Sequence, residues 1–111
     1  MPPGRDRHNI DAVEALAGHR AGRLVLVDVR EDSERERGFV PGSQHLPLSR
    51  LKQRLDELPG DRPIAFICHS GRRSAMAATA ARRAGLDARN VSGGIAAWEG
   101  RGLETPRKPT A

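Results

Sequence analysis

Ile64-Ala65-Phe66-Ile67-Cys68-His69-Ser70-Gly71-Arg72-Arg73-Ser74 is the stretch on which the fold turns. Its first five residues form an unbroken apolar run, bounded upstream by Pro63, that suits a strand covered on both faces. A short polar loop follows, and then Ser74 to Ala84, an alanine-rich segment closing at Gly85, reads as a helix with its usual stop. Strand, loop and helix in that order make up the unit of a parallel sheet, because parallel neighbours need a crossover between them.

The pattern repeats on both sides of this unit. Leu24-Val25-Leu26-Val27 is a second unbroken apolar run. The charged stretch from Glu31 to Arg37 suits a short surface helix ending at Gly38, with a solvated outer face. Val40-Pro41-Gly42 reads as a turn, and Gln44-His45-Leu46 as a brief strand before Pro47. Leu48, Leu51, Leu55 and Leu58 recur at helical spacing as core positions, with Ser49 as cap and Pro59-Gly60 as the end. Near the start, Ile10, Val13, Leu16 and Ala17 predict a helix stopped by Gly18. Near the end, Val91 marks a last strand, Gly93-Gly94 a tight turn and Ile95 to Glu99 a last helix, with Trp98 in the core. Strands alternating with helices predict an α/β domain, a mostly parallel sheet with helices on both faces. Such sheets place their sites at the carboxyl ends of the strands, here after Val27 and after Ile67. The Pro-rich, polar stretches at 1–8 and 105–111 read as flexible tails, which leaves one domain at 9–104.

Composition excludes several classes. A chain of 111 residues can bury roughly two thirds of its surface without disulfides or a structural metal. No apolar run approaches the roughly 18 residues of a membrane span. The start, Met1-Pro2-Pro3-Gly4-Arg5-Asp6-Arg7, lacks a secretory leader's apolar segment. The single cysteine points to a reducing cytoplasm. The net charge of +5 would attract anions, but acids are interspersed among the bases and only three aromatics exist, so nucleic acid is not the expected partner. His8, His19 and His45 are scattered and His69 adjoins Cys68 directly, so no metal site is expected. Monomer or weak dimer is the expected assembly.

The loop from Cys68 to Ser74 carries the chemistry. Gly71 permits backbone angles that turn several N–H groups toward one centre, and the helix beginning near Ser74 adds unpaired N–H groups and the positive end of its dipole. Arg72, Arg73 and His69 add cationic character. A thiol so placed loses its proton more easily than free cysteine, and the thiolate is the nucleophile. This reading requires N–H groups aimed at the sulfur and a sulfur that solvent can reach. Four residues separate Cys68 from Arg73. A cysteine phosphatase loop has one residue more, so this smaller ring of amides suits a single extra sulfur atom better than a phosphoryl group. Phosphatase and arsenate reductase are the readings it opposes.

These motifs together resemble the single-domain rhodanese family of sulfurtransferases. The family's opening pattern is matched by Leu26-Val27-Asp28-Val29-Arg30, Glu34 and Gly38-Phe39-Val40-Pro41-Gly42-Ser43. Its Cys-x-x-Gly-x-Arg-Ser loop is matched by Cys68 to Ser74, and its closing Gly-Gly-x-x-x-Trp by Gly93 to Trp98. Phe39 stands where the family has histidine, Arg35 where it has an aromatic and Ser43 where it has alanine. The resemblance implies a rhodanese-like open sheet of about five short strands. It also implies a reaction: Cys68 takes sulfur from an anionic donor such as thiosulfate, holds it as a persulfide among the amides of His69, Ser70, Gly71, Arg72, Arg73 and Ser74, and passes it on. The implied acceptor is cyanide in an assay, and a thiol or sulfur-acceptor protein in the cell. No cofactor is implied. The alternative on the same fold is a non-enzymatic docking or regulatory module, against which the complete loop counts.

Several positions have two readings. Arg30 and Asp28, after the first buried strand, either meet the donor or form a buried hydrogen-bonded pair with Glu34; the need of buried charges for partners favours the pair. Arg73 either reaches the donor or locks the loop through backbone carbonyls. Arg72 is expected to face solvent, and Ser74 to act first as a helix cap.

Overall fold

The computed structural model describes residues 8–103. The tails expected at 1–8 and 105–111 lie, His8 apart, outside the described residues. Five strands form one sheet: β1 (Asn9–Ile10), β2 (Val25–Asp28), β3 (Gln44–His45), β4 (Ile64–Ile67) and β5 (Ala88–Val91). Their order is β1-β5-β4-β2-β3 and every pairing is parallel. The helices are α1 (Ala12–Arg20), α2 (Asp32–Arg35), α3 (Leu51–Arg54), α4 (Arg72–Arg83) and α5 (Gly94–Gly100).

Residue alternation along the two central strands divides the interior into two layers. Val25 and Val27 of β2, with Ile64 and Phe66 of β4, face α3 and α4 and join Leu51, Leu58, Ala77, Ala78 and Ala81. Leu26, Ala65 and Ile67 face the other way, toward α1 and α5, and join Ala12, Ala15, Ile95 and Trp98. Both faces are covered, which is why these strands read as unbroken apolar runs rather than as alternating ones. Among the described residues no helix is long and apolar enough to cross a membrane.

Five local expectations are corrected. Ile10 is a strand residue, paired with Val91 in the sheet, rather than part of the first helix. That helix continues through Gly18 to Arg20 and buries Ala12, Ala15 and Gly18, leaving Val13 exposed. Gly18 lets the helix lie close to the sheet: a Cβ there would come within 2.7 Å of Leu24 Cδ2. The leucine segment is broken into a 3-10 turn at Leu48–Arg50, α3, and a second 3-10 turn at Leu55–Glu57. Ser49 does not cap it; its hydroxyl donates to the Glu31 carboxylate at 3.0 Å. Finally, α4 starts at Arg72, two residues earlier than expected, because Gly71 at φ +100° serves as its N-cap.

Candidate active site

Strands β2 and β4 are neighbours in register, Asp28 opposite Ile67, so the two loops singled out by the strand-end rule emerge side by side. Val29 N–H donates to the Ile67 carbonyl at 2.9 Å and carries the pairing one step beyond β2. The next residue of the β4 chain is Cys68.

The loop wraps its amides around the sulfur. Gly71 N–H donates to Cys68 Sγ at 3.1 Å and Ser74 N–H at 3.4 Å. Ser74 Oγ lies 3.2 Å from the same sulfur. The loop carbonyls are held on the opposite side: Cys68 O accepts from Ile95 N–H at 2.8 Å, and His69 O from Ala96 N–H at 3.0 Å. The first turn of α5 thus takes up the carbonyls and leaves the amide edge of the loop for the sulfur. Gly93-Gly94 makes this approach possible, since a Cβ on Gly94 would overlap the carbonyl oxygens of Cys68 and His69. The turn expected at those glycines is present, and it has a second task, close packing against the cysteine loop.

Burial by itself raises the Cys68 pKa, but the Ser74 hydroxyl and the amides of Ser74, Gly71 and Ser70 outweigh it, so the thiol lies below its ordinary range. The required solvent access is not met: Cys68 is only 1% exposed and belongs to the apolar cluster beneath α4. His69, Ser70 and Arg72 around it are exposed. Arg72 faces solvent at the rim of the loop.

The second strand end is a closed ion-pair network. Arg30 Nε and Nη2 both donate to the Asp28 carboxylate, at 3.1 and 2.9 Å, and Nη2 also donates to Gly38 O at 2.7 Å. Arg30 is 6% exposed and Asp28 1%, so the buried-pair reading describes them both. Glu34 enters that pair only weakly, through its carbonyl at 3.5 Å from Arg30 Nη1. Its carboxylate accepts instead from both Arg73 nitrogens, Nη1 at 2.6 Å and Nη2 at 2.7 Å. Arg73 thus has a carboxylate partner that neither reading named, and the pair ties the cysteine helix to α2. The guanidinium pulls the Glu34 carboxyl down to about 2, and the carboxylate raises the Arg73 pKa in return.

The stretch from Glu31 to Arg37 is accordingly not a plain solvated face. Besides Glu34, it sends Arg35 inward to Asp28 at 3.4 Å and to the Ser43 carbonyl at 2.7 Å and hydroxyl at 3.1 Å. Arg35 also lies over the Phe39 ring at 4.1 Å from its centroid. The three positions that depart from the rhodanese pattern thus come together through Arg35, which meets both Phe39 and Ser43. Ser74 is corrected as well: it sits inside the first turn of α4, and its hydroxyl donates to Asn90 Oδ1 at 2.6 Å instead of accepting from a backbone N–H as a cap would. Asn90 went unread in the sequence: with Arg89 beside it, the last strand carries no apolar run against which a buried polar residue would stand out. Among the described residues no group of three His, Cys, Asp or Glu side chains is arranged to hold a metal.

Comparison with known proteins agrees with this geometry. The sequence pattern of the family described as "Rhodanese-like domain" matches residues 11–101. Over 89 residues the chain is 39% identical to the uncharacterized protein YqhL of Bacillus subtilis, covering 79% of this chain and 69% of that one. Over 81 residues it is 36% identical to a protein of Allochromatium vinosum named "Sulfurtransferase", covering 72% and 76%. Two further relatives are longer, and the chain spans 43% and 45% of them. Among solved structures, a rhodanese-related protein of Thermoplasma volcanium superposes with a TM-score of 0.84 at 30% identity, over 91% of this chain and 99% of that one.

Proposed function

The chain belongs to the rhodanese-like domain family, and from that premise we propose that it is a sulfurtransferase whose Cys68 carries sulfur as a persulfide. The observation that carries this reading is the pair of loop amides, from Gly71 and Ser74, directed at one sulfur atom. The Cys68 thiolate attacks the outer sulfur of an anionic donor such as thiosulfate. A new S–S bond forms at Sγ, the donor's own S–S bond breaks, and sulfite leaves with the bonding pair. The loop amides hold the negative charge by charge-assisted hydrogen bonds without reorganising. A thiophilic acceptor then attacks the outer sulfur and returns Cys68 as the thiolate, so the kinetics are ping-pong. The outer sulfur lies about 2 Å beyond Sγ, and it meets donor and acceptor beside exposed His69, Ser70 and Arg72. The cationic rim suits an anionic donor, and the acceptor is cyanide in an assay and a thiol or an acceptor protein in a reducing cytoplasm. A name of the kind carried by the Allochromatium relative supports the same reading.

The near-complete burial of Cys68 favours one competitor, a docking module that uses the fold without the chemistry. Intact mass after incubation with thiosulfate and removal of the excess separates the two. The expected result is a gain of one sulfur atom in the native protein and none in Cys68→Ser. A folded native protein that gains nothing supports the docking module instead.

A further inference from the structure

Ser74 stands between two groups that want the same hydrogen. Its Oγ lies 3.2 Å from Cys68 Sγ on one side and 2.6 Å from Asn90 Oδ1 on the other. Asn90 is 8% exposed and sits on β5, 16 residues along the chain from Ser74. Its amide nitrogen donates to Asn9 Oδ1 on β1 at 3.0 Å, which fixes the oxygen end of the amide toward Ser74. A hydroxyl has one hydrogen to donate. With Cys68 neutral, every group is satisfied: S–H donates to Ser74 Oγ, and Ser74 O–H donates to Asn90 Oδ1. When the thiol proton leaves for solvent, the thiolate has nothing to donate. Ser74 must then either turn its hydrogen to the sulfur, orphaning a buried Asn90 oxygen, or keep it on Asn90 and present a lone pair to the thiolate. Both arrangements disfavour the bare anion. Once sulfur is loaded, Sγ becomes an uncharged bridging atom, and the hydrogen can stay with Asn90.

We propose that Asn90, held in orientation by Asn9, is a positioning residue that draws the Ser74 hydrogen toward itself and weakens its hydrogen bond to Cys68, so that the bare thiolate is less settled than it would be with that hydrogen fully donated. The consequence is a sulfur of greater intrinsic nucleophilicity, since nucleophilicity falls as a thiol becomes more acidic. The inference rests on Cys68 being the reacting group. The charged groups around the sulfur stay constant in this comparison. Arg73 of α4 is paired with Glu34 of α2, Asp28 of β2 is paired with Arg30 and Arg35, and His69 and Arg72 are exposed on the loop.

The test is the pH dependence of Cys68 alkylation by iodoacetamide, which needs no turnover and so stands apart from whether sulfur is transferred. Asn90→Ala releases the Ser74 hydrogen to the thiolate, and the alkylation midpoint is expected to fall by about one pH unit, roughly the worth of one charge-assisted hydrogen bond. In a Ser74→Ala background the same substitution is expected to leave the midpoint in place. Asn9→Ala, at an exposed position, frees the Asn90 amide to reverse and donate to Ser74, and is expected to lower the midpoint in the same direction. That variant serves as the readout if Asn90→Ala does not fold. An unchanged or raised midpoint in the folded single variants, or an equal fall with and without the Ser74 hydroxyl, overturns the proposal. Thiosulfate loading of these variants by mass reports separately on the sulfurtransferase reading.

Discussion

Gly71 holds a φ of +100°, a region that a residue with a side chain adopts at a cost, and a Cβ on it would lie 3.1 Å from the Gly93 nitrogen. The amide it turns inward is the nearer of the two that reach the sulfur. Gly71→Ala is therefore expected to lose about 1–2 kcal/mol of stability in urea denaturation and to slow Cys68 alkylation at neutral pH. Unaltered alkylation would show that the loop holds its amides without this glycine. Glu34 makes a prediction about pH. Its carboxyl is lowered from 4.5 to about 2, first by the hydrogen bonds from Arg73. A carboxylate whose pKa falls on folding adds stability that is complete above its unfolded value and is lost as pH drops toward its folded value. The contribution therefore fades between pH 4.5 and about 2. Allowing for the partial exposure of both side chains, Glu34→Gln is expected to cost about 1–2 kcal/mol at pH 7, with the gap narrowing across that acid window. A gap that stays constant down to pH 2 would assign the loss to packing instead of charge.

At the level of elements, the cysteine loop is held from two sides by helices that never touch the sulfur. From one side α2 grips α4 through the Glu34–Arg73 pair, 39 residues apart in sequence. From the other, the first amides of α5 take the carbonyls of Cys68 and His69. Both braces act on orientation: they decide that N–H groups rather than C=O groups face the thiol. Gly94→Ala puts a methyl group onto those carbonyl oxygens, where backbone cannot yield as a side-chain tip can. It is expected to destabilise by about 3 kcal/mol or more and to abolish sulfur uptake in whatever fraction remains folded. Circular dichroism melting paired with intact mass checks both. Arg73→Ala tests the other brace, and its lowered turnover should be accompanied by lowered stability, as in Glu34→Gln. A loss of turnover with stability intact would return Arg73 to the donor.

Across the whole molecule, the two faces of the sheet do different work. The face under α3 and α4 holds Cys68 among Phe66, Ala77 and Ala78. The face under α1 and α5 is filled chiefly by Trp98, which is fully buried with its Nε1 unpartnered among the described residues. Trp98→Ala is expected to cost about 3–5 kcal/mol by leaving a cavity, lowering the melting temperature by more than about 10 °C in a domain of this size. Trp98→Phe should cost much less, because it fills most of that space and removes an unsatisfied donor. Equal losses in the two variants would mean that the indole N–H, and not its volume, is what the core uses.

Much of this was legible in the residues themselves. Two unbroken apolar runs, the glycine after the cysteine and an alanine-rich segment ending in Gly85 were enough to determine a parallel α/β sheet with a cysteine loop at a strand end, because backbone propensity and residue period act over a few neighbours. The amides around the sulfur are local for the same reason: Cys68, Gly71 and Ser74 lie within one loop and one helical turn. Only the tertiary structure decided who partners whom across the sheet. Ile10 pairs as a strand because β5 offers an edge, and Gly18 stays helical because Leu24 packs over it. Glu34 finds Arg73, Ser74 finds Asn90, and Arg35 meets Phe39 and Ser43. Those choices depend on strand order and register, which bring distant segments within hydrogen-bond reach, and no pattern of near neighbours encodes them.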